Sequence, residues 1–336
     1  MYAIGNALVD IQIQVPDSVI AELGCDKGGR YPTQHGRQQE ILQTALGPDT
    51  LDSALQSPKI QTAAGGSAAN TVHGMSLLGG RAGFCGKWAD DRFGSLFKTH
   101  LQQSGIIFRP TYGQGMTGSC VVLVTDDAQR TMFTCLGVSG NVDHHDIDED
   151  RLAQSQVVYL EGYFLENERS LQTLLRAIAI ARHNNVHIAL TASDAFCVDR
   201  HRDQFITLIQ NDVDWLFANA QEAQRLSRTN NSEAALRVLS GWCNHVAVTD
   251  GAQGSLLSCH GEWVTLPAVD ITAVDTTGAG DAYAAGLLYG ITHDRTPQES
   301  GKIASLFAAQ VAMTMGPHFK GALPPDLVEL LALVPN

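Results

Sequence analysis

The residues best suited to chemistry in this chain lie in Asp275-Thr276-Thr277-Gly278-Ala279-Gly280-Asp281. Nothing in Gly278-Ala279-Gly280 is larger than a methyl group, and the small and apolar residues after it predict a buried helix that stops at Gly290. The glycines therefore open a helix, where unpaired backbone N–H groups and the helix dipole make a seat for an anion such as a phosphoryl group. Asp281 falls in the first turn, where the same dipole favours its charged form. An ionised carboxylate beside a phosphate seat can take a proton from an attacking hydroxyl. A lone triplet of this kind would more simply be a strand–turn–helix join with a capping Asp. A second motif far upstream changes that balance. Gly65-Gly66-Ser67-Ala68-Ala69-Asn70 again places glycines before a small-residue helix, ended by Gly79-Gly80, with Asn70 in the first turn.

Two more polar residues stand out at the start of the chain. Asn6 and Asp10 interrupt an apolar, strand-like run from Tyr2 to Val15, so they are satisfied internally or face a polar ligand. The elements that must position these groups are legible. Ala82–Gly86 predicts a short strand and Asp90–Gln103 a helix with Phe93, Leu96, Phe97 and Leu101 on one face. Gly118–Asp126 and Arg130–Leu136 read as a hairpin around Asp126-Asp127-Ala128-Gln129, and residues 24–36 as a loop or hairpin. Gln38–Leu46 predicts a short helix ending at Gly47-Pro48, and Val264–Val274 an extended segment.

From Val157 onward, apolar strands at 157–160, 187–190, 213–218 and 245–249 alternate with helical patterns, which implies a mostly parallel sheet covered on both faces. Thr296, Pro297 and Glu299 make a capping box for the final helix, expected to run to about Met315 and to stop at Gly316-Pro317. With no linker or repeat, residues 1–336 read as one α/β domain with a small β-lid from about 10–36 and 108–140.

Composition bounds the function. A net charge of −13 argues against nucleic-acid or anionic-membrane partners, and no apolar run reaches membrane-spanning length. Seven scattered cysteines without a Cys-x-x-Cys spacing suit reduced thiols and a cytoplasmic location. The run His144-His145-Asp146 to Asp150 lacks metal-ligand spacing and reads as a solvated acidic loop.

Gly65-Gly66-x-x-x-Asn70 together with Asp275-Thr-x-Gly278-x-Gly280-Asp281 resembles the paired signatures of the ribokinase-like, or PfkB, carbohydrate and nucleoside kinases. Asn219-Ala-Gln-Glu222 resembles the family's Asn-x-x-Glu, and Thr249-Asp-Gly251-Ala-Gln-Gly254 its nucleotide loop. Gly5-Asn6-Ala-Leu-Val-Asp10 and Leu160-Glu-Gly162-Tyr163-Phe164 look most like the adenosine kinases and their bacterial relatives.

The resemblance implies a three-layer, Rossmann-type α/β sandwich with a β-lid over the acceptor, and transfer of the ATP γ-phosphate to a primary hydroxyl. Asp281 is then the general base, and Gly278, Ala279 and Gly280 the anion hole. Asn6, Asp10, Gly65, Gly66 and Asn70 face the acceptor. Asn219, Thr249, Gly251 and Gly254 face ATP. Asn219 and Glu222 position Mg²⁺ through water. Arg130 reaches the phosphates from the lid, and Asp275 and Thr277 belong to a monovalent-cation site for which K⁺ is the candidate. Phe133, Tyr163, Phe164 and Phe196 are candidates to stack on a base, though each alone reads as core. Trp88-Ala89, Gly28–Pro32 and Cys135 depart from the pattern, which leaves the acceptor open. A purine ribonucleoside, adenosine foremost, is expected, with a sugar kinase and a catalytically silent binding protein as the alternatives. Family lids occur in monomers and homodimers, so oligomeric state stays open.

Overall fold

The computed structural model of the chain describes residues 1–47, 60–127 and 129–332. Pro48, expected to help stop an early helix, and Ala128, in the expected hairpin turn, lie outside them. The first half of the chain supplies β1 (Tyr2–Ile4), β2 (Leu8–Gln14), β3 (Arg30–Pro32), β4 (Ile60–Gly65), β5 (Gly83–Cys85), β6 (Ile107–Phe108), β7 (Gly118–Val124) and β8 (Arg130–Cys135). The second supplies β9 (Val157–Glu161), β10 (His187–Thr191), β11 (Trp215–Asn219), β12 (His245–Thr249), β13 (Ser255–Cys259) and β14 (Glu262–Leu266).

The large sheet runs β14-β13-β12-β11-β10-β9-β1-β5-β6. It is parallel from β12 to β6, and β13 and β14 add an antiparallel edge. Its strands are apolar on both faces because both are covered. Tyr159, Ala189, Phe217 and Ala247 pack under the helices Ser67–Leu77, Ala279–Thr292 and Pro297–Ala312. Their neighbours Val158, Leu160, Leu190, Leu216 and Val248 pack under Glu168–His183, Ala195–Asn211 and Ala220–Ser227. Successive strand residues point to opposite faces, so one apolar run feeds two cores. This is the three-layer α/β arrangement. None of the described helices is long and apolar enough to cross a membrane.

The second sheet runs β3-β8-β7-β2-β4 and includes β4, outside the segments expected for the lid. One face carries Ile11, Ile13, Val121, Leu123 and Phe133 against the helix His35–Leu46. The other carries Asp10, Gln12, Cys120, Val122 and Val124, because β2 and β7 run in register at Asp10–Cys120 and Gln12–Val122.

Three expectations need correction. The helix that starts at Pro297 ends at Ala312 and is followed by another, Pro325–Ala332. The strand expected across Val264–Val274 ends at Leu266; beyond it no strand among the described residues pairs with the segment, and Val274 is exposed. β-branched composition signals a strand only where a neighbour completes its hydrogen bonds. The helix expected to stop at Gly290 continues to Thr292. A Cβ at Gly290 would lie 2.4 Å from the Ser300 hydroxyl, so that glycine serves close helix packing and not termination.

Candidate active site

The two glycine motifs meet. Gly66, at φ 98°, starts the helix Ser67–Leu77, and a Cβ there would lie 2.1 Å from the Asn6 carbonyl oxygen, so only glycine allows this approach. Gly278, at φ 75°, starts the helix Ala279–Thr292 against the backbone of Pro317. Between the two helix starts, the Asp281 carboxylate accepts hydrogen bonds from Ser67 Oγ at 2.7 Å and Asn70 Nδ2 at 2.8 Å. Burial pushes its pKa up to about 6, against the pull of those two bonds and of Arg30. Such a carboxylate is ionised at neutral pH and still has useful affinity for a proton. No side chain caps this helix start, and a Cβ at Gly280 would meet nothing within 4 Å. The cradle is open to an anion.

The other helix start is filled from within. Glu161, at the end of β9 and 1% exposed, accepts the Ala68 N–H at 2.7 Å, the Asn6 N–H at 3.2 Å and Asn6 Nδ2 at 3.0 Å. Burial pushes its pKa up to about 7. Asn6, expected at the acceptor, thus gives its amide to Glu161. Asn70, also expected there, donates to Asp281, and its Oδ1 pairs with His318 Nε2 at 2.9 Å. A polar residue in an apolar run signals the need for a partner without saying which. Glu161 went unassigned; a lone acid closing an all-apolar strand was its signal.

Asp10 is different. It is 6% exposed, accepts no hydrogen bond from another described residue, and occupies space that a Cβ at Gly65, 2.7 Å from its carboxylate, would take. Burial, with help from the charges of Asp281 and Asp275, pushes its pKa up to about 7, and Arg130 opposes this. Such an uncommitted carboxylate can accept from two hydroxyls at once. On the same lid face Gln12 buries an Nε2 that has no partner among the described residues, beside the apolar Cys120, Val122, Val124 and Met132. Gln12 was missed, although its i+2 spacing from Asp10 on a strand put it on that face.

Across the cleft, Asn219 and Thr249 sit side by side at the carboxyl ends of β11 and β12, followed by the turn Gly251–Gln253 and Gly254. This is where open α/β sheets bind ligands. Asn219 and Glu222 form a capping box: Glu222 accepts from the Asn219 N–H at 2.9 Å and from its Nδ2 at 2.6 Å. Burial pushes the Glu222 pKa up to about 7; its Asn219 N–H bond and Arg30 oppose the rise, and Asp194 and Asp281 add to it. A carboxylate under the negative charge of its neighbours, offering only oxygen donors, fits a hydrated Mg²⁺.

The side chains expected at a monovalent-cation site already have partners within the protein. Asp275, 1% exposed, accepts the N–H groups of Thr277 at 2.6 Å and Gly316 at 2.8 Å. The Arg130 guanidinium pairs with the same carboxylate and donates to Thr277 Oγ1. The cation that meets Asp275 in this structure is Arg130. The lid arginine that faces the carboxylates is Arg30: its Nη1 lies 3.4 Å from the Tyr163 hydroxyl, and its charge acts on Glu222 and Asp281. Pairing of β3 with β8 brings it there, which no local pattern announced.

The expected aromatic wall does not assemble. Phe164 is 1% exposed in the core beside Phe205, and Phe133 stacks on Tyr31 on the far face of the lid. Phe196 is 53% exposed, with the Arg225 guanidinium 5.8 Å from its ring centre. Of the four, Tyr163 borders the cleft through its contact with Arg30.

Residues 40–321 match the pfkB family carbohydrate kinases. The chain belongs to that family. The crystal structure of adenosine kinase from Sinorhizobium meliloti is 36% identical and superposes with a TM-score of 0.89 over 98% of each chain. A "probable sugar kinase protein" from Rhizobium etli CFN 42 is 31% identical, with a TM-score of 0.89 over 98% of this chain and 97% of that one. The adenosine kinase of Saccharomyces cerevisiae is 23% identical over 95% of this chain and 96% of its own. The PfkB chain described here is accordingly a kinase, a phosphotransferase with an alcohol acceptor.

Proposed function

We propose that this PfkB-family kinase transfers the γ-phosphoryl group of ATP to the 5′-hydroxyl of a purine ribonucleoside, adenosine foremost. The observation that carries this reading is the lid face around Asp10. An uncommitted buried carboxylate suits the ribose diol, and beside it lie an apolar wall (Cys120, Val122, Met132) and the unpartnered Gln12 amide, which suit a flat base with a polar edge. Similarity to the Sinorhizobium meliloti adenosine kinase supports it.

In this reading Asp281 removes the hydroxyl proton as its oxygen attacks, and the backbone amides from Gly278 to Gly280 hold the transferring group. Thr249, Gly251, Gly254 and Asn219 line the ATP side. Glu222 and Asn219 would hold Mg²⁺, which would supply neutralisation of phosphate charge when bound. The cytoplasm is the proposed compartment, supported by seven cysteines that are all free thiols.

A sugar acceptor is the second reading, favoured by the dispersal of the expected aromatics and by the Rhizobium etli relative. ADP release with Mg·ATP and adenosine, inosine, ribose or fructose separates the two. Adenosine is expected to give the highest kcat/KM, by about tenfold or more over either sugar, since a buried amide left unpaired penalises an acceptor that lacks the base. A higher value for ribose or fructose overturns the nucleoside reading, and no ADP release with any acceptor overturns catalysis.

A further inference from the structure

Beneath Asp281 lies a group of residues that no part of the reading above uses. His318, 8% exposed, lies in the loop after the helix Pro297–Ala312, one residue beyond the Pro317 backbone that supports Gly278. Its Nε2 is 2.9 Å from Asn70 Oδ1, and Asn70 Nδ2 is 2.8 Å from Asp281 Oδ2. An amide oxygen only accepts, so Nε2 carries the proton and His318 donates. That donation decides which way the Asn70 amide faces. Reversed, the amide would turn its oxygen on the Asp281 carboxylate and repel it.

The His318 ring is fixed in turn. It stacks on His100 with centroids 4.4 Å apart and planes within 9°, and lies 4.3 Å from the ring of His73, which is anchored to Ser104 Oγ at 2.8 Å. Burial holds all three imidazoles below their ordinary pKa, so they are neutral at pH 7 and can stack without repulsion. One nitrogen of each of the three rings lies within 4.8 Å of the others, a spacing that could hold a metal ion, but His318 Nε2 and His73 Nδ1 are already given to Asn70 and Ser104.

We propose that His318 is a positioning residue for Asp281, acting through the Asn70 amide. This rests on the reading of Asp281 as the base. Gln and Met at position 318 have the same length and lose the same stacking, but only Gln can donate to Asn70. The experiment measures kcat, both KM values and thermal unfolding for His318→Gln, His318→Met, Asp281→Asn and the double variant His318→Met/Asp281→Asn.

His318→Met is expected to lower kcat about ten- to a hundredfold, with both KM values little changed, and His318→Gln to restore most of the loss. On the Asp281→Asn background, His318→Met is expected to add less than about twofold, since a residue acting through Asp281 is not additive with it. Equal activity of Met and Gln, or full additivity on Asp281→Asn, overturns the proposal. If Asp281→Asn itself keeps wild-type kcat, the base reading fails instead, and the two failures are distinct. Should neither 318 variant fold, Asn70→Leu breaks the same link from the other end. A fall in kcat supports the link, and a change confined to acceptor KM overturns it.

Discussion

The helices Ser67–Leu77 and Ala279–Thr292 both follow glycines at positive φ, both open with residues no larger than Asp, and meet where Ser67 and Asn70 bond Asp281. Their N-termini nevertheless have opposite fates. At the first, the buried Glu161 carboxylate already accepts the Ala68 N–H, so the positive end of the helix is neutralised from within. At the second, no side chain caps the N–H groups and the space at Gly280 is open. One glycine entry is filled from within and the other is open, as the proposed anion hole requires. The same division separates Asn6 and Asn70, whose amides are committed inside the protein, from Asp10, whose carboxylate is not.

The comparison breaks most easily at Asp281. Asp281→Asn should leave the fold and both KM values close to wild type while kcat falls about 10²–10⁴-fold, the contribution of a general base. Steady-state kinetics with circular dichroism checks this. A folded variant with more than about a tenth of wild-type kcat would show that the open helix start binds without catalysing.

Asp10 is expected to have the next largest effect. Asp10→Asn should raise acceptor KM about ten- to a hundredfold, since a charge-assisted hydrogen bond contributes about 1.5–3 kcal/mol. The same change should stabilise the protein at high pH. Burial raises Asp10 from 3.8 to about 7, so between those values the folded protein binds more protons than the unfolded chain. Stability therefore falls as pH rises through that window and levels off above it. Near pH 8 the variant should exceed wild type by about 1–3 kcal/mol, with the gain shrinking toward pH 4. Thermal melts across pH test the sign; a variant less stable than wild type at pH 8 would mean that Asp10 has an internal partner after all.

The two glycine entries can be compared directly. Gly280→Ala meets no steric neighbour and should stabilise its helix by about 0.5–1 kcal/mol, yet its methyl group fills the cradle and should lower kcat/KM for ATP roughly tenfold. Gly66→Ala should instead prevent folding, because its Cβ would meet the Asn6 carbonyl oxygen at 2.1 Å. Similar outcomes for the two would erase the distinction.

Glu161→Gln should change kcat by less than about threefold but lower stability by about 1–3 kcal/mol, since an amide cannot accept from all three donors that the carboxylate satisfies. A kcat loss without a stability loss would move Glu161 from scaffold to chemistry. The smallest effect is expected at Asp275, where an internal cation is in place as an internal anion is at Ala68. Exchanging KCl for a bulky organic cation salt at constant ionic strength should leave wild-type kcat unchanged, and Arg130→Met should introduce a response to K⁺. Strong K⁺ activation of the wild type would mean that Arg130 vacates Asp275.

Local sequence determined a great deal here. The alternating apolar strands after Val157 could only be buried by helices on both faces, and the capping box at Thr296 and Glu299 forms as its spacing dictates. Glycine before a small-residue run fixed both helix starts, and the polar interruptions at Asn6, Asp10 and Asn70 marked groups in need of partners. Those are consequences of near-neighbour sterics and period, which a chain carries wherever it is folded. Which partner each group receives is not local. Glu161 reaches Ala68 across 93 positions, Asp281 reaches Ser67 across 214, and His318 reaches Asn70 across 248. Arg130 was expected over the phosphates and nothing was expected of Arg30; strand pairing in the lid, not spacing along the chain, sets Arg30 near Glu222 and Asp281 and Arg130 against Asp275. Phe164 and Phe133 were drawn into the cores by the area they bury, an outcome set by the packing of whole layers. The sequence determined which residues need company; only the tertiary structure decided whether that company is the protein's own or a ligand's, because a hydrogen bond or a buried face is indifferent to distance along the chain.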